Sequence, residues 1–353
     1  MYLVHWGCAS TFLSVRNEYN AGISGYRMRK NKTVVLVLVA FLLGSATAIA
    51  IDRVVAHKDT PIAASRQIRE GGGVYTNPLL ECDVAQGAID APKARFERDL
   101  ESKVEDMLAR PSITEVAVYY RDLNNGPSFG INQDKEFFPA SLLKTPLMMA
   151  FLKHAETRPG FLTQRVTYQR SEAPESAHQT IRPDVALVSG EEYTVEQLLE
   201  HLIKYSDNDA LTALYPLLPE KEYVSLFDRL GVKGVNLSDA QTTLTVVEYS
   251  TFFRVLYNAS FLSQEMSEKA LELLVGATYD GGLSGGVPRS VPVAHKFGER
   301  DLGDGFYQLH DCGIVYEPQK QYLLCVMTRG KNQNELSSVI KEISKYTYEQ
   351  VSK

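Results

Sequence analysis

Hydrophobic and polar positions divide the chain into distinct segments. Phe96, Leu100, Val104 and Leu108 recur at helical spacing through 93–110 with charges between them, which predicts an amphipathic helix. "TEVAVYYRDL" and "PSFGIN" follow as a strand pair around the turn "NNG". A helical block comes next. Its first member runs from Ser141 to about His154. Its second, Thr194 to Lys204, opens with a Thr-x-x-Gln capping box and carries an apolar stripe at Val195, Leu198, Leu199 and Leu202. Further helices are expected near 208–217, 220–230, 246–258 and 264–275. Strand patterns return at "PVAHKFGE", "LHDCGIVYEP" and "QYLLCVMTRG", and a last helix covers about 334–350. The final strands are nearly continuous apolar runs, as when both faces of a sheet are covered. This order predicts an α+β unit: a mainly antiparallel five-stranded sheet flanked by helices, beside a helical lobe.

The N-terminal pattern is different. "TVVLVLVAFLLGSATAIAI", Thr33 to Ile51, is uncharged over 19 residues, about the length that spans a bilayer core. Arg27, Arg29, Lys30 and Lys32 precede it, so its N-terminal side is expected to stay cytoplasmic and the rest to be exported. A signal peptide cleaved at "ATA" or "AIA" is the alternative; the unbroken apolar length favours a transmembrane anchor. Residues 1–32 then read as a cytoplasmic segment, with Met28 as an alternative start. Residues 52–92 read as an extracytoplasmic linker, since "EGGGVYTNPLL" breaks any regular period, and 93–353 form the domain.

Composition narrows the partners. A net charge of −6 argues against a nucleic-acid binder, which carries a basic excess. The four cysteines form no CxxC, and no paired His or acidic spacing suits a metal. "YDGGLSGGVP" lacks the setting of a phosphate loop, so no cofactor is expected. Cys312 and Cys325 face each other across a hairpin turn at "EPQK". Export would allow their oxidation, but two small buried hydrophobes on neighbouring strands is the favoured reading. Nothing in the pattern speaks to oligomeric state.

Three short motifs carry chemistry. In "PASLLKTPLM", Ser141 and Lys144 stand three apart at a helix start; Ser338 and Lys341 share that spacing, so spacing alone decides nothing. "YSDNDAL" puts Ser206, Asp207 and Asn208 between two helical patterns, where the same residues also serve as caps. "AHKFGE" puts Lys296 in an otherwise apolar strand, with Gly298 two residues on to admit a close neighbour. Ser-x-x-Lys, Ser-Asp-Asn and Lys-x-Gly in this order are far more specific together than apart. With the order of elements, they make residues from about 93 to 353 resemble the serine β-lactamase-like, penicillin-binding hydrolases, class A β-lactamases among them. Ser338 and Lys341 fall outside this set and read as exposed positions on the last helix.

The residue types suit acyl transfer. A serine hydroxyl needs a neighbouring base, and a lysine three residues on shares its helix face. An ordinary lysine, with a pKa of about 10.4, is protonated at neutral pH; burial and the positive charge of Lys296 are expected to lower it. A helix N-terminus also presents N–H groups to a developing oxyanion. The resemblance implies Ser141 as nucleophile, Lys144 as base and the amides of Ser141 and Glu299 as oxyanion hole. It further implies Ser206 as proton relay to the leaving nitrogen and Asn208 as holder of the acyl-side amide. Lys296, beside Phe297 and Gly298, would attract the substrate carboxylate.

Two departures qualify this. Phe297 stands where the family carries a hydroxyl residue. The glutamate with which class A enzymes activate water has no obvious counterpart: Asp239 is weak, and Glu248 reads better as part of a Thr245–Glu248 capping box. His295 is expected on the opposite sheet face from Lys296, with no catalytic role. The expectation is thus a serine hydrolase of the bacterial cell envelope, acting through an acyl-enzyme on β-lactams or peptidoglycan D-Ala-D-Ala-type amides. Slow deacylation suits a penicillin-binding enzyme or D-Ala-D-Ala carboxypeptidase better than a β-lactamase. The competing reading is a catalytically weak or inactive cell-wall-binding module of the same fold.

Overall fold

Alternation within strands sets the two faces of the central sheet. The computed structural model describes residues 67–69, 71–82, 91–124, 128–172, 174, 179–232, 242–318 and 320–353. Thr33–Ile51, its basic flank and Asp239 lie outside them. In chain order the elements are β1 (Gln67–Arg69), β2 (Leu79–Cys82), α1 (Ala91–Leu108), β3 (Ile113–Asp122), β4 (Ser128–Ile131) and α2 (Lys144–Ala155). There follow β5 (Arg165–Thr167), β6 (Glu192–Thr194), α3 (Val195–Lys204), α4 (Asn208–Leu214), α5 (Glu220–Arg229), α6 (Val246–Tyr257) and α7 (Gln264–Val275). The chain ends with β7 (Val293–Gly303), β8 (Phe306–Val315), β9 (Tyr322–Gly330) and α8 (Gln333–Val351).

Five strands pair antiparallel in the order β4-β3-β9-β8-β7. On β3 and β9, Ala117, Tyr119, Leu323, Cys325 and Met327 join the core shared with the helical lobe. Val116, Val118, Tyr120, Leu324 and Val326 face the other way, onto Leu100 and Val104 of α1 and Val339, Ile340 and Ile343 of α8. Both faces of β8 and β9 are buried, as their continuous apolar runs predict. The Thr194 capping box forms at α3, and Thr245 and Glu248 make a second at α6. Ser338 is exposed and donates to Asn334 O, whereas Lys341 is half-buried.

Several expectations change. Ser141 sits on a 3-10 turn, Ala140–Leu143, with the α-helix starting only at Lys144. Cys312 and Cys325, paired in register as the hairpin predicts, are joined as a disulfide, not left as separate thiols. Part of the expected linker is packed structure. The Arg69 guanidinium donates to Asn77 O, Asn258 Oδ1 and Leu123 O, and the Tyr75 and Thr76 amides donate to the Glu268 carboxylate. These polar bonds hold what lacks hydrophobic periodicity, so the sequence pattern does not reveal them. Among the described residues no helix is long and apolar enough to cross a membrane.

Strand β7 is a sheet edge, and the 3-10 turn carrying Ser141 packs along it. A Cβ at Gly298 would lie 2.7 Å from Pro139 O and 3.0 Å from Leu142 N. Only a residue without a side chain allows backbone to come so near. This contact fixes where the candidate site forms.

Candidate active site

The turn bearing Ser141 is held from several sides. Ala140, just before it, has φ 48° in the left-handed region, a conformation a non-glycine residue keeps only when its surroundings enforce it. On β8, Gln308 Oε1 accepts from the Phe138 amide (3.1 Å) and His310 Nε2 donates to Phe138 O (3.1 Å). The Thr328 amide donates to His310 Nδ1 (3.2 Å), which fixes that tautomer, and burial pushes the ring down to about 3, so it stays neutral. From the helical lobe, the Tyr249 hydroxyl bridges Leu142 O (2.9 Å) and Thr145 Oγ1 (3.0 Å), and the Tyr223 hydroxyl donates to Leu143 O (3.0 Å). Carbonyls of a turn this short would otherwise be buried without partners.

Behind the turn, two lysines converge on Ser206. Lys144 Nζ donates to Ser206 O (2.5 Å) and Asn208 Oδ1 (2.6 Å), with Ser206 Oγ at 3.3 Å. Lys296 Nζ donates to Ser206 Oγ (2.8 Å) and Phe297 O (2.8 Å), and lies 4.1 Å from the Phe297 ring centroid. Ser206 itself has φ 54°, and Asp207 caps α4 by accepting from the Asp209 amide (2.8 Å). Burial pushes Lys144 down to about 7, against the opposing charges of Asp207 and Glu299. Burial, and then the charge of Lys144, push Lys296 well below the ordinary lysine range. The two lysines are therefore coupled, with burial the leading cause for both.

A cavity of about 250 Å³ opens in front of this cluster, lined by Ser141, Gln179, Thr180, Asn208, Phe297, Glu299, Arg300 and Asp301. Ser141, Asn208, Phe297 and Glu299 of the expected set thus share one space. Lys144, Ser206 and Lys296 are buried behind it, and Gly298 lies under the serine turn. The Ser141 hydroxyl has no hydrogen-bond partner among the described residues, which leaves it open to the cavity. Lys144 Nζ hydrogen-bonds the Ser206 loop and not the Ser141 hydroxyl, and catalytic hydrogen bonds of this kind often tighten only once substrate binds. Glu248 is occupied elsewhere: its carboxylate accepts from the Thr245 amide (2.9 Å) and hydroxyl (3.0 Å). His295 packs on the face away from Lys296 and hydrogen-bonds the buried Asp311 carboxylate (2.9 Å).

Gln179 is the residue that sequence reasoning missed. Its Nε2 donates to Ser206 O (2.9 Å) and its Oε1 accepts from the Asn208 amide (3.1 Å). Two residues on, the Ile181 amide donates to Glu299 Oε1 (2.6 Å), so this segment spans from the Ser206 loop to β7 across the cavity. Nothing in the polar, aperiodic stretch "SEAPESAHQTIRPD" signals that role.

Comparison with known proteins bears on the family and the fold. A family model described as the beta-lactamase enzyme family matches residues 99–351. Among solved structures, a PBP-A mutant captured as its acyl-enzyme complex with penicillin G is 22% identical, with TM-score 0.60 over 72% of this chain and 96% of that one. The class A beta-lactamase from Mycobacterium abscessus is 19% identical, with TM-score 0.60 over 72% of this chain and 100% of that one. The TLA-1 extended-spectrum beta-lactamase is 19% identical, with TM-score 0.63 over 72% of this chain and 99% of that one. At these identities the likeness is one of fold. A search of the curated proteins finds no match. By its matched residues, its five-stranded antiparallel sheet and its helical lobe, the chain belongs to the beta-lactamase enzyme family, a group of serine β-lactamase-like hydrolases.

Proposed function

We propose that the chain is a serine acyl hydrolase that forms an acyl-enzyme at Ser141 on β-lactams or on D-Ala-D-Ala-type amides of peptidoglycan. The observation that carries this reading is the convergence of Ser141, Asn208 and Glu299 on one cavity, backed by Lys144 and Ser206. In the first step the Ser141 oxygen bonds to the carbonyl carbon while Lys144 Nζ, as the free amine, takes the hydroxyl proton. The carbonyl electron pair moves onto oxygen, held by the amides of Ser141 and Glu299. As the pair returns, the C–N bond breaks and the nitrogen takes a proton from Lys144 through the Ser206 hydroxyl. Water then cleaves the ester.

That last step is slow in this reading. Glu248 is held in its helix cap, and Glu299 already accepts from the Ile181 amide and Gln333 Nε2. Slow release fits a penicillin-binding or carboxypeptidase-type enzyme better than a fast β-lactamase. Phe297, in the family's hydroxyl position, favours the second reading, a wall-binding module with little or no turnover. Mixing the full-length chain with a chromogenic cephalosporin while following colour and protein mass separates the three. Fast turnover marks a β-lactamase, a lasting adduct at Ser141 marks a penicillin-binding enzyme, and neither leaves binding only. The apolar Thr33–Ile51 segment would anchor the chain with residues 93–353 outside the membrane. Loss of that domain on protease treatment of intact spheroplasts tests the placement.

A further inference from the structure

The leaving-group side of the cavity is not built for a carboxylate. Phe297, Glu299 and Asp301 alternate onto one face of β7, the face that also carries His295, whereas Gly298 and Arg300 point to the serine turn. Where a hydroxyl would bind a carboxylate, the Phe297 ring is fixed against Tyr279, with centroids 4.1 Å apart and planes 29° from parallel. Glu299 and Asp301 line the same cavity, whereas Asp311, opposite Phe297 in register, is buried against His295 and the Leu283 amide and does not reach it. Lys296 donates to Ser206 Oγ and Phe297 O and is fully buried behind the cavity wall, so its amine is not presented to a ligand on this face. Arg300 lines the cavity from the other face, its guanidinium 4.1 Å from the Phe138 ring centroid.

We infer that the substrate of this site carries no free carboxylate on its leaving side: it is an acyl amide whose departing portion is uncharged, such as a C-terminally amidated or internal peptide bond. The inference rests on the acyl-enzyme reading above and narrows its substrates, setting free-acid β-lactams and carboxypeptidase action aside in favour of amidated or internal peptide bonds. An anionic leaving portion would meet an aromatic face and carboxylates at close quarters, where like charges repel and an unpaired carboxylate loses its water. An uncharged one would pack on the Phe297 ring.

The test compares two matched pairs on the full-length chain: penicillin G with its methyl ester, and an acyl-D-Ala-D-Ala peptide with its C-terminal amide. The rate of mass gain at Ser141 is the readout. The uncharged member of each pair is expected to acylate at least about tenfold faster, and Phe297→Thr to bring that ratio to one or below. Faster acylation by the free acids overturns the inference and leaves the acyl-enzyme reading standing. If that preference also vanishes in Arg300→Gln, Arg300 is the carboxylate receptor and the inference is equally overturned. No adduct from any of the four compounds, with Ser141→Ala as control, sinks the acyl-enzyme reading and this inference with it.

Discussion

Lys144 Nζ lies 2.5 Å from the carbonyl oxygen of Ser206, a residue 62 positions away and held at φ 54°. This contact ties the lysine of the first motif to the backbone of the second. It orients the amine beside the cavity while burial strips away the water that would keep it charged.

The pH dependence of acylation follows. Burial lowers Lys144 to about 7. Below that pH the group is an ammonium and cannot accept the Ser141 proton; above it the free amine dominates. The acylation rate should therefore rise about tenfold per unit up to near pH 7 and then level off. Stopped-flow or mass-resolved acylation at fixed ligand checks this. A rate still climbing past pH 9 would rule out a depressed lysine as the base. Lys144→Met should lower the rate by about 10²- to 10⁴-fold and flatten the profile.

Removing the Tyr249 hydroxyl should loosen the serine turn. Tyr249→Phe leaves Leu142 O without its 2.9 Å donor in a dry environment, at a cost of about 1–3 kcal/mol. Urea unfolding should register that loss. Acylation should fall further than stability predicts, because Ser141 is the residue displaced; an unchanged acylation rate would contradict the assigned role.

Gly298→Ala tests the packing of the turn on β7. Its Cβ would be placed 2.7 Å from Pro139 O, closer than backbone tolerates. Overpacking of this kind costs about 1–3 kcal/mol. The turn is the lighter partner and should move, so acylation should drop by at least about tenfold while the circular dichroism spectrum stays that of the parent.

The disulfide is a separate matter. Cys312 and Cys325 are fully buried next to Lys296, which pairs with Cys312 across β7 and β8. Replacing both by Ala should lower stability by about 2–4 kcal/mol, the usual value for closing a short loop. Equal unfolding midpoints for the oxidised parent and the double variant would show that the cross-link adds nothing.

How much was legible in the sequence differs by element. Periodicity located α1, α3 and α5 through α8, and the capping boxes at Thr194 and Thr245 are local events that four residues encode. Strands β8 and β9 were legible because they bury both faces, and β7 because its first half does. The hairpin turn even gave the Cys312–Cys325 register, though not its oxidation. Order along the chain brought Ser141, Ser206 and Lys296 under suspicion together. What stayed hidden rests on long-range polar contacts, which leave no period. Gln179 meets Ser206 and Asn208 from a loop, Arg69 anchors what looked like a linker, and His310 supports the turn before the serine.

The sequence by itself therefore determined the elements, their order and the chemical inventory, because those depend on near neighbours and on side-chain identity. Only the tertiary structure decided which polar atoms meet, how deeply Lys144 and Lys296 are buried, and which face of β7 the Phe297 ring takes. Those properties arise from desolvation and from contacts between segments tens of residues apart, and no local pattern records them.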